Sequence, residues 1–387
     1  MKEKITKITE SLRGDMVKFL REIIAIPSMS GKEEAVVQRM KAEMQKLGYD
    51  KIQVDPLGNL LGTMGGGGKI LALDGHCDTV GIGNPENWQV DPFKGDYRDG
   101  IIYGRGASDQ KAGLAAAIYA GKILKEIGIP GNMSFLVVAS VLEEDYEGLC
   151  WRYIIEENKI KPQAVLMTEP SNLGIMMGQR GRLEIKVHTR GISCHGSAPE
   201  RGENAIYKIA PIIRDIELLN EQLPPKELLG KGTVAVTEAR SSSPSLCAVA
   251  DSASIHLDRR LTAGETLETA VAEIENLESV KAARAEVIVP EYKVTGYTGL
   301  DYPVKAYYPT WLMEREHALV KTAEKAYENQ FSSRGDVGVW TFSTNGVTTK
   351  GVFDIPTIGF GPGEEKHAHT PYDQVPEEQV IKAVEFY

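Results

Sequence analysis

Cysteines are scarce in this 387-residue chain: Cys77, Cys150, Cys194 and Cys247 are scattered, and no two stand in C-x-x-C spacing. That excludes a thiolate zinc knuckle and a disulfide framework. Long apolar runs are also missing. No stretch approaches the length that crosses a bilayer, and the N-terminal MKEKITKITESLRGD is charged and amphipathic where a secretory leader would carry an apolar segment. The expectation is a cytoplasmic protein with reduced thiols and no membrane partner. Basic clusters are absent as well: 44 Lys and Arg against 54 Asp and Glu leave a formal net charge of −10, so nucleic acid is not an expected partner. There is no internal repeat and no low-complexity tract.

What is present is enough chain for about two ordinary globular domains. Ile5, Ile8, Leu12, Met16, Phe19, Leu20, Ile23 and Ile24 recur at helical spacing until Pro27 stops the pattern. Ser30 and Glu33 have capping-box spacing, predicting a second helix to about Leu47 with Gly48 as its end. Gly65 to Gly68 then read as a hairpin turn. The following Lys69 does not make a phosphate loop of them, because no Ser or Thr follows and the chain enters a strand.

From residue 71 onward, polar groups stand where apolar strands stop. LAL (71–73) is followed by Asp74, Gly75, His76, Cys77 and Asp78. MSFLVVASV (133–141), apolar enough to be covered on both faces, runs into Glu143, Glu144 and Asp145. QAVLMTEP (163–170) ends in Glu169, and Asp109 immediately precedes an Ala-rich helix predicted from about Lys111. In open α/β sheets the ligand crevice lies outside the carboxyl ends of the strands, so these exits are expected to converge. From about residue 178 the texture becomes alternating: RLEIKVHTRG, TVAVTEAR and SASIHLDRR read as half-exposed strands, with helices near 203–220 and 265–277 between them. This predicts an α+β layer of about 115 residues inserted into an α/β domain. The first architecture then resumes: WLMEREHALVKTAEKAYENQF reads as a long helix, a loop follows with His367 and His369, and a last helix begins near Glu377.

His76, Asp109, Glu143, Glu144, Glu169 and a late histidine form a nitrogen and oxygen donor set. Such a set suits zinc or another divalent first-row ion. His76 is a ligand candidate, and Asp78 can accept its other ring N–H and fix the tautomer. Two ions sharing a carboxylate and a water would polarise an amide carbonyl and acidify the water. A carboxylate not occupied as a ligand must then carry the proton to the leaving nitrogen, and Glu143 and Glu144 can divide these tasks.

The segments IPSMSGKEE, GHCDTV, GRGASDQKAG, EED, TEP, GQRG, CHGSAPERGENAI, DRR and HAHTPYD, in that order, resemble the M20 metallopeptidase family. That family includes acetylornithine deacetylase, succinyl-diaminopimelate desuccinylase, aminoacylase and carboxypeptidase G2. The resemblance implies a phosphorylase/hydrolase-like mixed-sheet catalytic domain over 1–178 and 296–387, with an inserted α+β lid and dimerisation domain over 179–295. It implies His76, Asp109 and Glu169 at a first metal, Asp109 bridging, and Glu144 and His369 at a second. Two divalent ions are implied, zinc first, then cobalt or manganese. Glu143 matches the general base, and Asp78 the residue that orients His76. His195 matches a histidine that reaches a neighbouring subunit's active site and donates to the oxyanion, which implies a homodimer. Arg260 matches the arginine that holds a substrate carboxylate, a task suited to its planar fork; Arg259 reads as structural.

Two departures fall where the family reads its substrate. Cys247, in CAVAD, stands where an asparagine is usual, and FSTNG (342–346), with Asn345, replaces a Gly-Gly-Thr-Asp run. Both positions are expected to touch substrate. The combination is similar to a branch of selenium-metabolism-linked hydrolases. The expected activity is hydrolysis of an amide-type bond in a small carboxylate-bearing N-acyl or N-carbamoyl amino acid or short peptide, a dipeptidase or carboxypeptidase being the alternative. A noncatalytic, metal-clipped dimeric binding protein is the alternative of another class. Glu143 argues against it, since a closed structural site needs no free base.

Overall fold

A computed structural model describes the whole chain, Met1 to Tyr387. Its centre is a nine-stranded mixed sheet whose middle strands lie in the order Met133–Ser140, Lys69–His76, Ala164–Met167 and Thr357–Gly359, all parallel. The pattern of the strand MSFLVVAS, buried at every residue but the first, is the one expected for a sheet covered on both faces. Lys51–Val54 and Leu60–Met64 extend one side antiparallel; Ile175–Gln179, Val337–Trp340 and Trp311–Leu312 extend the other. Because the four central strands are parallel, the loops that follow them leave from one edge. The site therefore has one possible location.

The Ala-rich helix Ala112–Ile127 is almost wholly buried against this sheet. Gly113 is what permits the approach: a Cβ there would stand 2.0 Å from the Thr168 carbonyl oxygen. Helix Lys2–Ile24 packs beside it through Met16, Phe19, Leu20, Ile23 and Ile24. The fully buried Lys111 ties the end of that first helix to the start of the Ala-rich one, its Nζ donating to the carbonyls of Ile23 and Ile26 at 2.9 Å each. Burial without a carboxylate partner pushes its ammonium down to about 8.

The insertion forms its own antiparallel sheet, with Thr233–Ser242, Ser252–Leu261 and Gly181–Arg190 side by side and Glu286–Ile288 beyond. Its strict alternation of buried and half-buried residues turns Leu183, Ile185, Val187, Ile255 and Leu257 into a second, separate core. Helices Ala205–Gln222, Leu267–Glu275 and Glu278–Ala283 cover that face. No helix is long and apolar enough to cross a membrane.

Four expectations need correction. The Ser30–Glu33 box does not cap Glu34–Leu47: Ser30 Oγ donates to Asp78, and Glu33 Oε1 accepts the N–H groups of Gly31 and Leu142. Gly65 to Gly68 are no hairpin, because Met133–Ser140 lies between the two strands they join. The helix read from Trp311 starts only at Ala318, capped by His317, since Trp311 and Leu312 pair with Gln179 and Gly178. Finally, the expected boundary at residue 295 falls inside the hairpin Glu291–Thr295 and Asp301–Lys305, whose Val294 and Val304 belong to the larger core, while Tyr307 beyond it packs on the second.

Candidate functional site

The central strand Lys69–His76 ends on His76, whose ring is buried. Its Nδ1 lies 2.9 Å from the backbone carbonyl oxygen of Asp78, which presents Nε2 to three carboxylates: Asp109 Oδ1 at 3.0 Å, Glu143 Oε2 at 3.8 Å and Glu169 Oε1 at 3.8 Å. On the other side, His369 Nε2 stands 2.8 Å from Glu144 Oε2 and 3.3 Å from Asp109 Oδ2. Asp109 thus turns one oxygen to each histidine. Donor atoms of His76, Glu143 and Glu169 lie within 4.8 Å of one another, and so do those of His76, Asp109 and Glu144.

The electrostatics are those of a site built for cations. Burial raises the carboxyls of Glu143, Glu169 and Glu144, and charge on neighbouring carboxylates raises them further. Hydrogen bonds with Asp109 and Glu144 lift His369 to about 10. His76 is also raised, its burial overcome by Glu143, Glu169 and Asp109. Two carboxylate oxygens, Glu143 Oε1 and Glu169 Oε2, are buried with no hydrogen-bond partner. Orphan acceptors of this kind are costly unless a cation or water meets them. The residues fit divalent ions: hard oxygen donors and imidazole nitrogens converge, and no thiolate is among them.

Asp78 holds the site by a route other than the expected one. Its carboxylate is 3.6 Å from His76 Nδ1, too long for the orienting hydrogen bond. Instead it accepts the N–H of Glu143 (3.2 Å), the N–H of Glu144 (3.0 Å) and the hydroxyl of Ser30 (2.7 Å), so it fixes the turn that carries the two glutamates. A comparable clasp joins Asp109 to the His369 loop. Asp373, fully buried, accepts from Gly106 N and Ser108 N at 2.8 Å each and from Arg105 Nη1 at 3.0 Å.

The ligand candidates line one cavity of about 340 Å³ with Glu143 and Arg260. His369 is in its wall; His367 is not. The cavity also has Phe342 and Ser343, from the FSTNG segment, and Glu147, Glu365 and Ala368, which sequence reasoning did not single out. A signal for Glu147 existed, since it follows Glu144 by three residues in the same turn. Arg260 reaches the cavity with its fork on Asp258, at 2.7 and 3.0 Å, while Arg259 is fully buried against Glu265 and Glu273.

Three predicted residues lie elsewhere. His195 and Cys247 sit together on the exposed outer part of the insertion, the Gly196 N–H bonding the Cys247 carbonyl at 2.7 Å, and neither lines this chain's cavity. Asn345 is fully buried beneath the site. Its Nδ2 donates to Asp74 Oδ2 (2.9 Å) and Ser140 Oγ (3.1 Å), and its Oδ1 accepts from Gly148 N (2.7 Å) and Cys150 Sγ (3.1 Å). With both ends of the amide occupied, Asn345 has nothing left for a substrate. The expected contacts of Asn345 and, within one chain, of Cys247 are not formed.

The profile of peptidase family M20/M25/M40 matches residues 72–387. The uncharacterized protein YgeY of Escherichia coli (strain K12) is 48% identical over 383 residues, covering 99% of this chain and 95% of that protein. A succinyl-diaminopimelate desuccinylase from Legionella pneumophila (strain Corby) is 28% identical over 55% of this chain and 61% of its own length. Among solved structures, aminopeptidase PepT from Bacillus cereus ATCC 10987 superposes with a TM-score of 0.72 at 21% identity, covering 97% of this chain and 96% of that one.

Proposed function

We propose, from the premise that this chain belongs to peptidase family M20/M25/M40 and is a metal-dependent hydrolase, that it cleaves an amide-type C–N bond in a small carboxylate-bearing N-acyl or N-carbamoyl amino acid or short peptide. The observation that carries this reading is Asp109 divided between His76 and His369, with the unpartnered Glu143 Oε1 beside them. His76, Asp109 and Glu169 would hold one divalent ion, and Asp109, Glu144 and His369 a second; zinc is the first choice, cobalt or manganese the next. When bound, such ions polarise a carbonyl and bring water toward hydroxide near neutral pH.

The chain's own residues supply the rest. Glu143, buried at the cavity wall, takes a proton from the attacking water and returns it to the leaving nitrogen. Arg260 exchanges Asp258 for the substrate carboxylate, which its fork meets bidentately. His195 serves a second copy. It is exposed, with Nδ1 held 2.7 Å from Ser197 Oγ and the other ring nitrogen free, beside the exposed Ile192 and Leu246. A homodimer through the insertion would place it in the partner's cavity as an oxyanion donor. The four cysteines, none of them paired, support a cytoplasmic placement.

Glu143→Gln tests the reading. Turnover of a panel of N-acyl, N-carbamoyl and dipeptide substrates should disappear while metal content stays that of the parent. Equal activity in parent and variant would remove Glu143 as the base; no activity in the parent with zinc, cobalt or manganese would favour a binding protein.

A further inference from the structure

A second cavity, about 530 Å³, adjoins the catalytic one and shares Glu365 with it. Its apolar wall is Met176, Val339 and Trp340; Ser171, Asn172 and Lys366 are among the polar residues at its rim. Continuity is structural as well as spatial. Trp340 faces the second cavity and Phe342 the first, their rings 5.7 Å apart, so an aromatic strip runs from one to the other. Thr341, between them, donates its hydroxyl to Glu365. The floor is firm: Trp340 is buried and donates its indole N–H to the Pro170 carbonyl at 2.9 Å, directly after Glu169.

The sizes divide the work. The catalytic cavity, about 340 Å³, is walled almost entirely by charged and polar groups and has Arg260 at its edge for a carboxylate. It suits the amino-acid half of a substrate and the scissile bond. An apolar chain on the carbonyl side would meet charged or polar groups everywhere in that cavity except at Phe342 and Ala368, and Phe342 leads to the Trp340 wall. We infer that the second cavity is the subsite for the apolar arm attached to the scissile carbonyl, so that the preferred substrates carry an arm of roughly five carbons or an aromatic ring rather than a formyl, carbamoyl or acetyl group. This rests on the amide-hydrolase reading above and narrows it toward long acyl groups or peptides with a large apolar N-terminal side chain.

The test compares N-acetyl-, N-hexanoyl- and N-phenylacetyl-alanine and the dipeptides Gly-Ala and Phe-Ala with the metal-loaded enzyme. At about 0.8 kcal/mol per buried CH₂, the four added methylenes of hexanoyl have an upper limit of ~200-fold in kcat/KM, and a gain of at least ~10-fold over acetyl is expected. Met176→Trp, which fills the cavity from a wall away from the metal ligands, should lower hexanoyl turnover at least ~10-fold and leave acetyl turnover within ~2-fold. Val339→Phe repeats the test should the first variant fold poorly. Phe-Ala well above Gly-Ala would assign the arm to a peptide side chain, and hexanoyl alone well above acetyl would assign it to an acyl chain. A flat series, or equal losses for acetyl and hexanoyl, overturns the subsite. Should the parent hydrolyse nothing, the function proposed above fails, and calorimetric titration with hexanoate still decides the subsite: binding by the parent weakened at least ~10-fold in Met176→Trp supports it, and no binding or equal binding overturns it.

Discussion

Truncating Asn345 to alanine separates two roles that the sequence allows for it, substrate contact and internal support. In the structure the amide closes a buried ring of four partners. Ser140 Oγ and Cys150 Sγ–H can turn to other neighbours, and Asp74 keeps the side chains of Trp151 and Ser140 beside it, but the Gly148 N–H is fixed and would be left without a partner. One buried orphan at about 1–3 kcal/mol, with a small cavity at about 1 kcal/mol besides, gives an expected loss of about 2–4 kcal/mol. Unfolding entropy of about 2.1 cal/mol/K per residue, over the roughly 270 residues outside the insertion, converts this to a fall in Tm of about 4–7 °C. Differential scanning calorimetry of the metal-loaded protein measures it, and substrate KM in the surviving folded fraction should change little. Asn345→Asp should be worse above pH 6, because burial lifts Asp74 only to about 6 and a second carboxylate would then face it. An unchanged Tm with a raised KM would refute the argument and return Asn345 to the substrate.

Other outcomes follow from the same geometry. Asp373→Ala leaves Arg105 a buried cation without its carboxylate and frees the Gly106–Ser108 turn that leads to Asp109; a loss of about 3–5 kcal/mol is expected, with metal retention on dialysis falling further than in Asn345→Ala. Burial, helped by the charge of Asp78, raises Glu33 from 4.5 to about 7. A raised carboxyl contributes stability that is complete below the unfolded value and disappears as pH rises through the folded one, so roughly 3 kcal/mol should be lost between about pH 4.5 and 7. Glu33→Gln should flatten that slope in urea titrations at stepped pH; an unaltered slope would exclude Glu33 as its source. Chelation should lower Tm, since the buried carboxylates then repel one another; ions at ~1,000 times their Kd stabilise by about 4 kcal/mol, and zinc should restore the loss.

Why some of this was legible in sequence and some was not is a matter of range. His76, Asp109, Glu143, Glu144 and Glu169 could be read because His76 ends a buried strand, Glu143 and Glu144 follow a second, Glu169 follows a third and Asp109 stands before a buried helix, and parallel strands bring their ends to one edge without further information. The choice of His369 over His367 needed the order of several motifs, since a late loop has no local mark of convergence. Where a residue's partner came from a distant segment, the local pattern misled. The S-x-x-E spacing at Ser30 and Glu33 is that of a capping box, yet the Asp78 carboxylate and the Leu142 N–H, far along the chain, draw both side chains away from the helix end. The glycine run 65–68 looked like a hairpin because nothing within it announces that Met133–Ser140 inserts between its strands.

Depth was the other hidden quantity. FSTNG was expected to meet the substrate along its length, but the segment divides in the middle: Phe342 and Ser343 face the cavity, while Thr344, Asn345 and Gly346 turn into the interior. Gln179 explains the split. Its Nε2 donates to Ser343 Oγ at 3.1 Å and its Oε1 accepts from Thr344 Oγ1 at 2.6 Å, pinning the segment from below. Because Ser343 Oγ accepts from Gln179, its own hydroxyl hydrogen is free to turn toward the cavity, beside the ring of Phe342. The cavity-facing pair in this segment is therefore Phe342 and Ser343. Replacing Ser343 with alanine should raise KM with little change in Tm, the opposite signature to that of Asn345→Ala, and the two variants measured together locate the boundary between the surface that reads the substrate and the interior that supports it.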